Sequence, residues 1–191
     1  MNQSPNQRIA ALLAAHTPAD PKEAVDMQII AQMLDDTPNL MSRAYPPGHV
    51  TGSALVLDAG TGRFLLHYHK KLDRWLQFGG HADADEDDPA QTALREAREE
   101  SGLPDLRWLS NAPLDIDVHL IPARGEQPAH LHLDFRYGLL TSSPHALQVS
   151  ADESASFAWL TLDELTTKHI TIDPALDRLI RKALRLFREN T

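Results

Sequence analysis

The stretch Gly79–Leu103, GGHADADEDDPAQTALREAREESGL, places a run of acidic residues between a glycine pair and a helix end. Its second half carries the signals of a helix. Asp88 can cap free backbone N–H groups, and Pro89 fits the first helical position, where no N–H donor is needed. Gly102 is typical of a left-handed helix end, after which Leu103 folds back onto the last turn. The sequence therefore predicts a helix between Asp88 and Gly102.

This helix has an apolar face and an acidic face. The apolar positions have the i, i+3, i+4, i+7 spacing of a buried stripe; they are Ala90, Ala93, Leu94 and Ala97. Glu96, Glu99 and Glu100 fall within about 100° of arc on a neighbouring face. Their mutual repulsion becomes a gain if they share a divalent cation, and hard carboxylate oxygens suit Mg²⁺ or Mn²⁺. The alternative is a solvated acidic face, in which an Arg95–Glu99 pair contributes only about 0.3–0.5 kcal/mol.

The helix sequence resembles a known motif. Residues 95–103, REAREESGL, are similar to the end of the Nudix box, whose pattern is G-x5-E-x7-R-E-U-x-E-E-x-G-U. The Gly79–Gly80 pair resembles the glycine start of the box, but the loop is one residue longer than the pattern. The first acidic residue of the box therefore stays open among Asp85, Glu86 and Asp87.

The resemblance implies an α/β (α+β) fold, an α/β/α sandwich around a mixed β-sheet. It also implies hydrolysis of a diphosphate linkage in a nucleoside diphosphate joined to another moiety, with Mg²⁺ or Mn²⁺ as cofactor. The implied metal ligands are the Gly79 carbonyl and the carboxylates of Glu96, Glu99 and Glu100, and Arg95 is expected to orient these carboxylates. The substrate itself is not implied.

The general base is a separate question. Relatives often take it from a late loop shortly before a tryptophan, and Glu153 lies six residues before Trp159. Glu153 is therefore the first candidate and Glu96 the second.

Two other functions fit the same family. A non-catalytic module that senses a nucleotide-like ligand is one, although such modules typically lose box carboxylates and all three helix glutamates are present here. The other is an isopentenyl-diphosphate isomerase-like enzyme, in which several His and Glu residues hold a metal and one His follows a glycine, as His81 does. That relative relies on a cysteine, and this chain has none.

A second group of polar residues suggests another cation or substrate site. His130, His132 and Asp134 alternate in HLHLDFRYG, so a strand would project all three from one face. Imidazole and carboxylate together form a metal-ligand set, and we predict a second site that comprises these residues and His81, in the same pocket as the glutamates. The alternative is a half-exposed polar sheet face.

Two arginines complete the candidate residues for substrate binding. Arg43 and Arg124 lie in predicted loops, where they could hold phosphate oxygens.

Length and composition limit the number of domains, the binding partners and the location of the protein. The 191 residues have the length of a single domain, which we divide into an N-terminal helical extension (1–45) packed on the core and a Nudix hydrolase domain (46–191). The net charge of −9 argues against non-specific binding to nucleic acid or to anionic membranes. Without cysteines, an export signal or an apolar run long enough for a membrane span, the expected location is the cytoplasm.

Helical and strand-like segments follow one another along the chain. Helices are predicted at 6–15 and 21–34, in an extension that covers the sheet or contributes to a homodimer interface, and from Asp173 to about Glu189. The predicted strands are VTGSALVLD, RFLLHYH, RWLQF, LRWLS, LDIDVHLIPA, HLHLDFRYGLLT and FAWLT. The glycine pair is expected to end the third strand in a turn.

Overall fold

A computed structural model describes residues 3–70, 72–148 and 154–190. The helices are α1 (Pro5–Ala15), α2 (Pro21–Asp36), α3 (Pro89–Ser101), α4 (Leu162–Thr167) and α5 (Pro174–Glu189). The strands are β1 (Gly48–Asp58), β2 (Phe64–His69), β3 (Arg74–Leu76), β4 (Phe78–His81), β5 (Arg107–Trp108), β6 (Asp115–Ile121), β7 (His130–Thr141) and β8 (Ser154–Leu160). None of the described helices has the length and apolar character needed to cross a membrane.

The strands form one mixed sheet with β1 at its centre. β1 pairs in parallel with β7 and antiparallel with β2 and β4. β7 in turn pairs antiparallel with β5 and β6. β2 pairs antiparallel with β3 and β8. The predicted α/β/α class with a mixed sheet is confirmed. The short helix α4 was not among the predicted elements.

Helix α3 begins and ends where the sequence predicts. The Asp88 side chain accepts a hydrogen bond from the Ala90 N–H, and Pro89 occupies the first turn. Gly102 ends the helix in the left-handed region, with φ of 65°, which glycine adopts without a steric penalty. Ala93 and Ala97 are fully buried against the sheet. The packing of these alanines therefore holds helix α3, which carries the glutamates, firmly against the sheet.

The glycine pair departs from the prediction. Gly79 and Gly80 do not form a turn but lie inside β4, opposite Ser53 and Gly52 of β1. A Cβ on Gly79 would lie 2.3 Å from the Ser53 Cβ, and one on Gly80 would lie 2.3 Å from Glu96 Oε1. The glycines allow close packing within the sheet and against α3, so here they do not mark a turn.

Two hydrophobic clusters lie on the two sides of the sheet. One joins α3 to the sheet and includes Ile9 of α1 and Ile30 of α2, both fully buried. The other joins the sheet to α5, which contributes Leu179 and Ile180. The N-terminal helices are thus part of the core. The division at residue 45 stays a prediction.

Buried ion pairs connect α2, α5 and strand β6. Glu23 of α2 is fully buried and accepts hydrogen bonds from Lys182 of α5 and from the Ile116 N–H. Asp115 of β6 accepts hydrogen bonds from Arg178 of α5, at 2.6 and 3.0 Å. These pairs fix α2 and β6 against the C-terminal helix α5.

Candidate functional site

Arg95 is the centre of a hydrogen-bond network on the acidic face of α3. Its Nη1 donates to Glu96 Oε1 at 2.9 Å and to Glu99 Oε2 at 3.1 Å. Its Nη2 donates to the His81 carbonyl at 2.7 Å, which ties the helix to β4. The hydrogen bond to Glu86 raises the pKa of Arg95 above its ordinary value. Arg95 is therefore a permanent cation that orients two carboxylates of the helix.

Glu86 is the loop carboxylate that meets this arginine. Its oxygens accept from Arg95 Nε at 2.9 Å, from Thr92 Oγ1 at 2.8 Å and from the Asp83 N–H at 3.0 Å. Burial would raise the pKa of Glu86, but the hydrogen bond from Arg95 lowers it below its ordinary value. Asp87 instead pairs with Arg8 at 3.2 Å. Of the three candidates for the first acidic residue of the box pattern, Glu86 is therefore the one that contacts the arginine of the motif.

One of the helix carboxylates, that of Glu96, lies against Gly80 of β4. Only glycine leaves room at position 80, because a Cβ there would lie 2.3 Å from Glu96 Oε1. The side chain of Glu99 is 60% exposed, whereas that of Glu96 is 17% exposed. Carboxylates together with a nearby main-chain carbonyl are the hard oxygen donors that Mg²⁺ and Mn²⁺ prefer. The residues present fit such a cation.

Four histidines form a second group of potential ligands. They come from β1, β4 and β7, and one ring nitrogen from each lies within 4.8 Å of the others; they are His49, His81, His130 and His132. His132 Nε2 lies 3.1 Å from His81 Nε2 and 3.3 Å from His130 Nε2. His49 was not among the predicted residues.

Asp134 does not join the histidines. It is buried, and its carboxylate accepts hydrogen bonds from Ser53 Oγ and Arg136 Nε, both at 2.8 Å. Arg136 is itself buried and also donates to Asp117 at 2.9 Å. Asp134 is therefore one of the carboxylates that balance the buried Arg136 cation.

Burial favours the neutral form of three of these rings, those of His49, His81 and His132. Burial, followed by the proximity of His81, lowers the pKa of His132 to about 2. Burial likewise lowers the pKa of His49 and of His81 to about 4, and nearby Arg43 contributes to both shifts. Neutral imidazole is the form that binds metal ions.

The histidines and the helix carboxylates lie on opposite faces of β4. A Cβ on Gly80 would point at Glu96, and its partner Gly52 faces α3 as well. Because side chains alternate along a strand, His81 projects from the other face, beside its partner Thr51. The two groups are therefore separate sites joined by the backbone of His81, not one pocket.

The remaining predicted residues are Arg124, Glu153 and Arg43. Arg124 is exposed in the hairpin between β6 and β7, where its backbone pairs with that of Gln127. Glu153, the first candidate for the general base, lies outside the described residues. Arg43 is exposed near the histidines, as the pKa shifts of His49 and His81 indicate.

Comparison with known proteins supports the motif. A family model described as the NUDIX domain matches residues 48–183, well over half of the chain. The chain belongs to the Nudix family. The resemblance of Gly79–Leu103 to the Nudix box is thereby confirmed. The sequence matches none of the curated proteins.

Solved Nudix structures share the fold. A Nudix-family hydrolase from Clostridium perfringens is 24% identical, with a TM-score of 0.50, and the match covers 75% of this chain and 98% of that one. An Ap4A hydrolase binary complex from C. elegans is 21% identical, with a TM-score of 0.51 and coverage of 74% and 98%. A Nudix hydrolase structure from Listeria monocytogenes is 16% identical, with a TM-score of 0.50 and coverage of 74% and 96%.

Proposed function

We propose that this Nudix protein is a pyrophosphohydrolase that cleaves the diphosphate linkage of a nucleoside diphosphate joined to another moiety. The observation that carries the proposal is the network on α3, in which Arg95 donates hydrogen bonds to Glu96 and Glu99 and to the carbonyl of His81. Carboxylates held in this way are preorganised, so they need not rearrange when a cation and a diphosphate bind.

The proposed cation ligands are Glu96, Glu99, Glu100 and the Gly79 carbonyl, and the proposed cation is Mg²⁺ or Mn²⁺. When bound, such a cation neutralises diphosphate oxygens and makes an attacking water more acidic. Arg95 orients the carboxylates of Glu96 and Glu99 through Nη1, and Glu86 fixes Arg95 from the loop side. The arginines proposed to bind phosphate oxygens are Arg43 and Arg124.

Proton removal from water is assigned to Glu153, with Glu96 as second candidate. The Glu153 proposal depends on sequence position alone, because this residue lies outside the described ranges. Glu96 stays the second candidate, because its carboxylate already accepts a charge-assisted hydrogen bond from Arg95. A Glu153→Gln variant that turns over at the full rate would exclude Glu153.

A substrate screen tests the proposal. The purified protein is incubated with nucleotide sugars, ADP-ribose, dinucleoside polyphosphates, oxidised nucleoside triphosphates, coenzyme A and capped RNA, first with Mg²⁺ and then with Mn²⁺. Mass spectrometry identifies the products, and Glu99→Gln serves as the inactive comparison. Cleavage that disappears in Glu99→Gln supports the proposal; cleavage that persists at the full rate in that variant contradicts it.

A ligand-sensing module is the second candidate. It would be favoured if no compound in the screen is cleaved while one of them still raises the melting temperature. The intact network of Arg95, Glu96 and Glu99 favours the enzyme, because a sensor has no need of a preorganised cation site.

Three further properties are proposed from sequence: a cytoplasmic location, no binding to membranes or non-specifically to nucleic acid, and formation of a homodimer.

A further inference from the structure

The four histidines of β1, β4 and β7 form a group that the hydrolase proposal does not use. We infer that His49, His81, His130 and His132 are the ligands of a second metal site, specific for a borderline-soft divalent cation, with Zn²⁺ as the best match. The site lies on the face of β4 opposite the helix carboxylates. It depends on the geometry of these four side chains and does not depend on the proposed hydrolase activity.

The spacing of the ring nitrogens fits tetrahedral coordination. Four nitrogens placed about 2.0–2.1 Å from a tetrahedral Zn²⁺ are separated from one another by about 3.3–3.4 Å. His132 Nε2 lies 3.1 Å from His81 Nε2 and 3.3 Å from His130 Nε2. The whole set lies within 4.8 Å, so the remaining ligand needs only a small side-chain movement.

Hydrogen bonding alone leaves the group unsatisfied. A single ring nitrogen either donates one proton or offers one lone pair, but His132 Nε2 faces the Nε2 atoms of both His81 and His130. His49 is 4% exposed, and its buried Nε2 has no hydrogen-bond partner among the described residues. A central cation would accept the lone pairs of all four nitrogens at once.

The surroundings orient the rings for coordination. The Pro128 carbonyl lies 3.0 Å from His130 Nδ1 and can only accept, so Nδ1 carries the proton and the neutral ring presents Nε2. His49 and His132 are directly paired across β1 and β7, and His81 is paired with Thr51 of β1. The ligands thus come from three adjacent strands that are already fixed by backbone pairing.

The ligand type sets the metal preference. Four neutral imidazoles contain no hard oxygen donor, so they discriminate against Mg²⁺ and favour Zn²⁺, Co²⁺, Ni²⁺ or Cu²⁺. The helix carboxylates have the opposite preference. The two sites are therefore distinguishable by the metal they select.

A bound ion would also stabilise the start of the Nudix box. It would link β1, β4 and β7 through His81, whose carbonyl accepts the hydrogen bond from Arg95. Because it binds the folded chain, Zn²⁺ should raise the melting temperature.

The test measures Zn²⁺ binding to the untagged full chain after chelator treatment and dialysis, by isothermal titration and elemental analysis. We expect about one tightly bound Zn²⁺ per chain. This stoichiometry should not change when Mg²⁺ is present in excess, and it should be the same in the Glu99→Gln variant. Co²⁺ bound at the same site should give the intense visible absorption of a tetrahedral nitrogen set. His132→Ala and His49→Ala should lose the tight site and the Co²⁺ spectrum.

His119→Ala is the matched control. His119 lies on the neighbouring strand β6, with its ring centroid 5.5 Å from that of His132, but it hydrogen-bonds to Asp117 and is not one of the four. The His119→Ala variant should therefore still bind Zn²⁺ as tightly as the wild type. If His49→Ala does not fold, the half-buried His130→Ala replaces it. No tight Zn²⁺ in the wild type, or equal Zn²⁺ affinity in His132→Ala, His130→Ala and the wild type, would overturn the inference.

Discussion

At the scale of single residues, the loop carboxylate Glu86 is distinguished from its neighbours by contacts that sequence could not show. It faces Arg95, whereas Asp87 faces Arg8 on the surface. The pattern spacing left both open because the loop is one residue longer than the motif. Within this loop, Asp83 and Glu86 form a turn, with the Glu86 N–H donating to the Asp83 carbonyl.

Glu86→Gln should therefore lower kcat/KM by about 10- to 100-fold, because supporting residues of a metal site typically contribute that much. The neutral amide loses the charge-assisted bond that fixes Arg95. Asp87→Asn, one residue away, should retain activity within about twofold. Steady-state kinetics on the substrate found in the screen checks both, and the reverse order of effects would show that Asp87 is the box residue.

Gly80 is the second single-residue test. A Cβ at this position would lie 2.3 Å from Glu96 Oε1, the mobile end of a side chain. Gly80→Ala should therefore displace the carboxylate with little effect on the fold: Mn²⁺ affinity should fall at least about tenfold, while the free energy of unfolding changes by less than about 1 kcal/mol. Titration of Mn²⁺ by electron paramagnetic resonance, with urea unfolding, measures both.

Gly52→Ala is the contrasting variant, since its Cβ would lie 2.2 Å from the Pro89 carbonyl oxygen and 2.9 Å from the Ala93 nitrogen. Backbone cannot move aside as a side chain can, so about 1–3 kcal/mol of stability should be lost. If Gly80→Ala left Mn²⁺ affinity unchanged, the close approach of β4 to Glu96 would have no role in binding.

At the scale of elements, the N-terminal helices are components of the core and not appendages. Ile30 of α2 is fully buried in the cluster that also contains Ala93 of α3. Ile30→Ala should lower the free energy of unfolding by about 2–5 kcal/mol, the usual loss for a buried large-to-small change. Val25→Ala, on the same helix but 53% exposed, should change it by no more than about 0.5 kcal/mol. Denaturant unfolding compares them, and equal effects would mean that α2 does not pack as described.

Element-level prediction from the sequence succeeded where signals are local. The helix α3 has its cap, its stop and its apolar stripe within fifteen residues, so Asp88 and Gly102 marked its ends correctly. The glycine pair was misread as a turn, because its pairing with Ser53 and Gly52 of β1 is not visible in local sequence. The short helix α4 was missed because its six residues contain too little periodicity.

Prediction of the histidine group was likewise limited to residues with a local sequence signal. His130 and His132 were found through their alternation along one strand. His49 was not predicted, because only the parallel pairing of β1 with β7 brings it opposite His132. Asp134 had the right spacing but balances buried Arg136, a contact that depends on the sheet register.

At the scale of the whole molecule, stability at acid pH depends on the buried ion pairs between α2 and α5. Burial would raise the pKa of Glu23, but hydrogen bonds from His16, the Ala19 N–H and Lys182 lower it to about 2 from 4.5. A carboxylate with a lowered pKa stabilises the fold above the pKa of the unfolded chain and loses this contribution as pH falls through the folded pKa. At pH 7 the contribution is on the order of 3 kcal/mol.

Glu23→Gln should therefore be less stable than the wild type at pH 7, and the difference should shrink as pH falls from about 5 to 2. Urea unfolding at a series of pH values measures it, with the exposed Glu189→Gln as a control that should show no difference at any pH. A Glu23→Gln deficit that stays constant down to pH 2 would mean that ionisation of Glu23 is not what stabilises the packing of these helices.

The central claim is that the acidic face of α3 supports metal-dependent attack of water on a diphosphate. The most direct test is cleavage of the best substrate in ¹⁸O-labelled water, with the products weighed by mass spectrometry, in the wild type and in Glu100→Gln. We predict one ¹⁸O atom in the phosphate of one product, strict dependence on Mg²⁺ or Mn²⁺, and a loss of rate of at least about 100-fold in the variant. Cleavage without ¹⁸O incorporation, or at an equal rate in Glu100→Gln, would contradict it.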